Sequence, residues 1–207
     1  MKKTRGFLLT ASIVLATTFT LSCSSDDEGG GGGGYTGSYG SVKDAAGKSY
    51  KTVQIGTQTW MAENLNYNAE DSKCYGNDPA NCVKYGRMYD WETAKTVCPS
   101  GWHLPSSDDW EVLVNYVGDS TAGTKLKAKD GWSNNGNGTD NYGFSALPGG
   151  GSFSADKFEQ VGSRGNWWSA TATGNEAYLW DMRYNSSHVN KFHEYRSDLL
   201  SVRCVKD

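Results

Sequence analysis

The stretch CPSGWHLPSSDDWEVLVNYVG, Cys98 to Gly118, decides how the rest of the chain is read. Its second half is a helix with both ends marked. Ser106 stands where an N-cap hydroxyl is wanted, and Asp109 answers it at the third helical position, a capping-box arrangement. Asp108 and Asp109 also suit the positive end of the helix dipole. Trp110, Leu113, Val114 and Val117 then follow the i, i+3, i+4, i+7 spacing of one buried face, and Gly118 closes the helix. The acidic pair is therefore read as capping, not as catalytic carboxylates.

Working outward, Asp90 caps a short helix over DWETAKTVC, with Trp91, Ala94 and Cys98 on one stripe and Pro99-Ser100-Gly101 ending it. Upstream, KSYKTVQIGTQTWMAENL (Lys48 to Leu65) reads as a hairpin turning at Gly56-Thr57. Downstream, WSNNGNGTDNYGFSALPGGG is a long loop region rich in Gly and Asn. Strands follow. EAYLWDMRY (Glu176 to Tyr184) alternates, with Asp181 expected to face solvent beside a core Trp180. NSS turns the chain, HVNKFHE returns, and LLSVRCV (Leu199 to Val205) makes one final strand. Early helices, a long loop region and a late antiparallel meander give an α+β fold with little regular structure.

Of five cysteines, Cys23 stands apart from Cys74, Cys82, Cys98 and Cys204. The four lack the C-x-x-C pairing and His spacing of a zinc site. In an exported chain they are expected to form two disulfides. Three pairings exist; we favour Cys74–Cys82, closing the polar loop CYGNDPANC, and Cys98–Cys204, stapling an early helix to the last strand. On the loop-entropy account the long bridge contributes about 4–5 kcal/mol and the short one about 2–3 kcal/mol.

Export itself is read from the amino terminus. Lys2, Lys3 and Arg5 precede an apolar run from Phe7 to Phe19, too short to span a bilayer, which takes about 20 residues. Residues 1–22 are therefore expected to be a signal peptide, and the segment before Cys23 resembles a bacterial lipobox, although Thr20 stands where Leu is usual. Ordinary cleavage would leave a free thiol; lipid attachment at Cys23 explains the odd cysteine. Residues 23–40, acidic and then glycine-rich, cannot bury surface and form a tether with a reach of about 20 Å. The acidic triplet Asp26-Asp27-Glu28 resembles the export tags of Bacteroidetes-type lipoproteins. The expected location is the bacterial outer membrane, lipid-anchored and facing the cell surface, with the membrane as a partner through that lipid.

Residues 41–207 have the length of one domain. With 26 Gly, 8 Trp and 12 Tyr, the core is expected to lean on rings instead of aliphatics. A net charge of -3 without a basic stripe excludes nucleic acid as a partner.

IGTQTWMAENLNY, YGRMYDWETA, CPSGWHLPSSDDWEVL, YGFSALPGG, NWWSAT and the closing VRCVKD resemble the Fibrobacter succinogenes major paralogous domain, from about Ser41 to Asp207 and in the family's order. GWHLPSSDDWE and VRCV are also similar to the formylglycine-generating-enzyme superfamily, whose fold is related to the C-type lectin-like domain. That resemblance implies an N-terminal strand near the C-terminal one, two helices and long irregular loops. It also places Cys98–Cys204 where C-type lectin-like domains carry a helix-to-last-strand disulfide. The formylglycine generators bind copper through a close cysteine pair near the chain end. Here Cys204 is alone in that region, so oxidase activity is not expected.

Other catalytic templates are missing too: there is no G-x-S-x-G, H-E-x-x-H or phosphate loop. The chain is expected to be a non-catalytic binding or adhesion module for carbohydrate or an envelope protein. A structural envelope lipoprotein without a dedicated ligand is the alternative, and an enzyme on a degenerate formylglycine-generator scaffold the third. Trp132, Trp167 and Trp168 are candidate stacking surfaces, one of the adjacent pair core and the other available, with Arg164 and Arg183 as polar partners. No cofactor is required. Asn134, Asn135, Asn137, Asp140 and Asn141 offer the hard oxygens that calcium takes, but the same composition serves turns, which is the expected use.

Overall fold

Gly40–Lys43 (β1), Ser49–Ile55 (β2) and Gln58–Met61 (β3) form an antiparallel meander, and the expected turn at Gly56-Thr57 joins the last two. The computed structural model describes residues 1–2, 34–154 and 157–207. The expected signal segment, Cys23 as the expected site of lipid attachment and the expected tether as far as residue 33 lie, from residue 3 on, outside the described residues. The account that follows concerns the unit Gly32–Asp207.

The chain continues through Pro79–Tyr85 (α1), Met88–Tyr89 (β4), Trp91–Ala94 (α2), Trp102–His103 (β5), Ser107–Val117 (α3) and Ala122–Leu126 (α4). It ends in Gly151–Phe153 (β6), Lys157–Glu159 (β7), Arg164–Thr173 (β8), Glu176–Arg183 (β9), Val189–Tyr195 (β10), Leu200–Ser201 (β11) and Val205–Lys206 (β12). Two five-stranded sheets result, ordered β1-β2-β3-β12-β5 and β10-β9-β8-β11-β4, with β6 and β7 as a separate pair. This is a mixed α+β fold with short helices and mostly antiparallel strands.

α3 has the capping box its sequence asks for. The Ser106 hydroxyl accepts from Asp109 N, and the Asp109 carboxylate accepts from Ser106 N at 2.8 Å. Burial pushes the Asp109 carboxyl up, but hydrogen bonds from the Ser106 hydroxyl and amide and from His103 outweigh it and leave its pKa lowered. The apolar face of α3 drives Trp110 into a ring cluster. Trp60 lies 4.9 Å away, Trp180 stacks at 6.0 Å and Trp167 sits at 6.2 Å, so rings supply the volume that aliphatics do not.

Four expectations need correction. α2 stops at Ala94, so Cys98 lies past its end. The Cys74–Cys82 loop is not irregular: Asp78 caps α1 by accepting from Ala80 N, and Pro79 takes a first-turn position where no N–H is needed. Leu199 to Val205 is not one strand. β11 pairs with β8 and β4, then the chain crosses to the other sheet, where β12 pairs with β3 and β5. The crossing is held because Val202 O and Cys204 O accept from Leu65 N and Met61 N. Finally, Asp181 is not solvent-facing; it is 1% exposed.

Both favoured disulfides are present, Cys74–Cys82 with Cα atoms 4.9 Å apart and Cys98–Cys204 with 5.9 Å. The second pins the crossing segment to the connection after α2. Two cores flank β8. One contains Trp110, Trp167, Trp180 and the apolar face of α3; the other contains Trp91, Trp168, Leu179 and Val202.

Candidate functional site

The crossing segment carries Arg203 into the molecule, where its side chain is 0% exposed. Asn64 is built to receive it. The Asn64 Oδ1 accepts from Arg203 Nη2 at 2.9 Å, from Arg203 Nε at 3.2 Å and from Trp167 Nε1 at 2.8 Å. Its Nδ2 donates to Tyr85 O at 2.8 Å, tying the end of α1 to the same point. Arg203 also donates to the carbonyls of Phe144 and Ser145 and lies 4.2 Å from the Phe144 ring centroid. Among the described residues it forms no ion pair. Burial lowers its pKa, and Asp140, Glu63 and Tyr39 act against that at longer range. A guanidinium nevertheless stays protonated, so this is a buried positive charge balanced only by dipoles and distant carboxylates.

Above Arg203 opens a cleft of about 390 Å³, within the usual range for small-molecule sites. One wall comes from the β1–β2 connection. Asp44 accepts from Ala46 N, from Lys48 N and, at 2.7 Å, from the Tyr50 hydroxyl, so the turn and the ring are fixed together. The Tyr50 hydroxyl in turn accepts from Asn66 N at 3.1 Å. Burial, and then the bond to Asp44, raise the Tyr50 pKa and keep it a phenol. The Asn66 carboxamide is left with no hydrogen bond among the described residues, facing the cleft. A second wall is the end of α1. Gly86 has φ 78°, and a Cβ there would meet Leu65 O at 2.7 Å, so glycine alone permits the approach. The third wall is the loop of Lys129, Asp130 and Asp140.

The cleft lining holds five cationic groups (Lys48, Lys51, Lys84, Lys129 and Arg203) against three carboxylates (Glu63, Asp130 and Asp140), on a chain whose net charge is -3. Two of those carboxylates are engaged in structure. Glu63 accepts from Lys51 N at 2.6 Å, and Asp140 accepts from Ser145 N and its hydroxyl at 2.8 and 2.6 Å. Three lysines rest over rings instead of acids: Lys51 at 5.3 Å from the Tyr39 centroid, Lys48 at 5.4 Å from Tyr50 and Lys84 at 4.7 Å from Tyr85.

The residues singled out from sequence do not make this site. Trp132, Trp167 and Trp168 are 5%, 0% and 0% exposed, so none is a stacking platform. Trp167 Nε1 donates to Asn64, Trp168 Nε1 to Tyr89 O, and Trp132 Nε1 to Ala146 O. The expectation that one of Trp167 and Trp168 would be available fails because β8 has a core on each face. Arg164 and Arg183 are brought together as cross-strand partners. They flank buried Asp181, Arg183 at 2.8 Å and Arg164 at 3.8 Å, and Asn190 donates to its other oxygen at 2.8 Å. A small groove of about 80 Å³ lies there.

Asn134, Asn135 and Asp140 all take positive φ, as turn residues do, and Asn137 Oδ1 accepts from Trp132 N. They stabilise the loop that forms the third wall; of the five, only Asp140 lines the cleft. In a wider depression of about 520 Å³, lined by Asp71, Asp90, Glu92 and Arg196 among others, three of these four are engaged elsewhere. Asp90 caps α2, Glu92 pairs with Lys95 at 2.6 Å, and Arg196 donates to Gly174 O.

The family model described as Fibrobacter succinogenes major domain matches residues 53–206. The chain belongs to this family. No curated protein matches the chain, and no solved structure does. The matched span includes Glu63, Asn64, Asn66, Lys84, Lys129 and Arg203, while Tyr39, Lys48, Tyr50 and Lys51 lie before it.

Proposed function

We propose that this family member is a non-catalytic binding module with a C-type-lectin-like domain, held on the outer face of the bacterial outer membrane by a lipid on Cys23, and that it binds carbohydrate in the Arg203 cleft. The lectin-like reading is supported by the disulfide from the α2 end to the crossing segment and by the pairing of the C-terminal β12 with the early hairpin strand β3. The observation that carries the ligand reading is the preorganised lining. Tyr50 and Asn64 are locked by buried hydrogen bonds, while the Asn66 carboxamide has no hydrogen bond among the described residues and three lysines of the cleft rest over rings instead of acids. Ring faces with fixed polar groups around them suit a sugar, which presents an apolar face and a rim of hydroxyls. No cofactor is assigned a part in binding: in the asparagine-rich loop Asn137 accepts from Trp132 N and Asp140 from Ser145.

The test uses the full-length chain against soluble plant and bacterial-envelope polysaccharides, with and without EDTA. Saturable binding is expected, unchanged by EDTA, weakened at least tenfold by Asn66→Ala or Tyr39→Ala, and unaffected by Arg164→Ala. Failure of every polysaccharide to bind saturably would overturn the reading and favour a structural envelope role.

A further inference from the structure

The cleft has more to say about ligand charge. Resting on the reading of the cleft as a carbohydrate site, we infer that its ligand is an acidic glycan, a polyuronate chain whose carboxylates replace the tyrosine rings as partners of Lys51 and Lys84.

Three observations converge. First, the lining carries an excess of two positive charges on a chain that is net negative, so the positive potential is local. Second, Arg203 beneath the floor is a buried cation with no ion pair among the described residues. Its field reaches the cleft through protein, where it is screened less than it would be in water. Third, Lys51, Lys84 and Lys48 rest over Tyr39, Tyr85 and Tyr50 without a carboxylate. Tyr50 and Tyr85 are 2% and 8% exposed and only Tyr39 is open to solvent, and a cation over such an exposed ring is weakly held. An ammonium that swings from ring to carboxylate gains a charge-assisted hydrogen bond and uncovers part of the ring for the sugar's apolar face. A neutral glycan would gain the ring only by pushing the lysine into water. Tyr39, 37% exposed, is the ring most open to this exchange.

The glycan class follows from the placing of each lysine beside a ring. A phosphate or free small anion would satisfy one lysine and leave the rings bare. A uronate unit brings a carboxylate and a pyranose face together, which is what a lysine beside a tyrosine presents.

The experiment compares polygalacturonate and alginate with fully methyl-esterified polygalacturonate, the same backbone without its charge, using the full-length chain in EDTA. The two polyuronates are expected to bind at least tenfold more tightly than the ester, with the advantage shrinking as salt rises. In the Lys51→Ala/Lys84→Ala double variant the charged and esterified polymers are expected to bind within about twofold of each other. Binding of the ester should be retained, because removing Lys51 uncovers the exposed Tyr39 ring. Lys191→Ala, on the far sheet where Lys191 pairs with Glu111, should leave the preference intact. Equal binding of charged and esterified polymers, still lost on Asn66→Ala, would overturn the acidic preference while leaving the cleft as a carbohydrate site. A preference that survives the double variant would also overturn it. Absence of binding by all three polymers would overturn this inference, and the wider polysaccharide panel would then decide whether the carbohydrate reading falls with it.

Discussion

Two buried charges in this molecule are handled in opposite ways. Asp181, in β9, is 1% exposed and meets two guanidinium groups and the Asn190 carboxamide. Arg203, in the crossing segment, is 0% exposed and meets carbonyl and amide oxygens with no ion pair among the described residues. The first charge is neutralised by its own sheet, and its groove has little left to offer a ligand. The second is solvated by dipoles, which satisfy its hydrogens without cancelling its charge. A protein keeps an uncancelled buried cation at some cost in stability. Placed under a cleft rimmed by lysines, it marks the region where an external anion completes the electrostatics.

The largest expected effect comes from removing the uncancelled charge. Arg203→Met leaves Asn64 Oδ1 with Trp167 Nε1 alone and strips the side-chain donor from Phe144 O and Ser145 O, and buried acceptors without donors are costly. A loss of about 3–4 kcal/mol is expected, read as a lower midpoint in urea. Arg183→Met should cost less, about 1–2 kcal/mol, because Asp181 keeps Arg164 and Asn190 as partners. Equal losses for the two variants would break the contrast, since both arginines would then be structural ties of one kind.

How much of this was legible beforehand differs by element. α3 announced itself because Ser106, Asp109 and the Trp110–Val117 stripe are local signals, and the hairpin did so through its turn. α1 also had a local signal, Asp78-Pro79, hidden by reading CYGNDPANC as a polar loop. NWWSA was misread at the level of exposure. Two adjacent apolar rings suit a strand covered on both faces, and β8 is such a strand, buried without a break from Gly165 to Ser169. The cleft had no local signal. Arg203 sits in VRCV, which looks like any terminal strand, and its partners lie far away in sequence at Asn64 and Phe144. Only the crossing between sheets, an event no periodicity encodes, turns that arginine inward and sets it beneath residues from three separated loops.

The smallest effect tests the Asp181 side from its rim. Glu194 lines the same small groove, and burial, then Asp198 and Glu176, raise its pKa; burial raises that of Asp198 as well. A carboxylate whose folded pKa exceeds its unfolded one makes the native state bind the extra proton. It therefore lowers stability at neutral pH, and that deficit vanishes as pH falls through the folded value toward the ordinary 4.5. Glu194→Gln is expected to raise the urea midpoint slightly at pH 7 and to change it little near pH 4.5, flattening the profile between. A wild-type profile already flat over that range, or a variant less stable at pH 7, would mean that the rim carboxylates are as well compensated as Asp181. The expected result leaves Glu194 under-compensated on a groove whose lining has no net charge, Arg164 and Arg183 against Asp181 and Glu194, so an acidic chain finds there none of the positive excess that the Arg203 cleft offers.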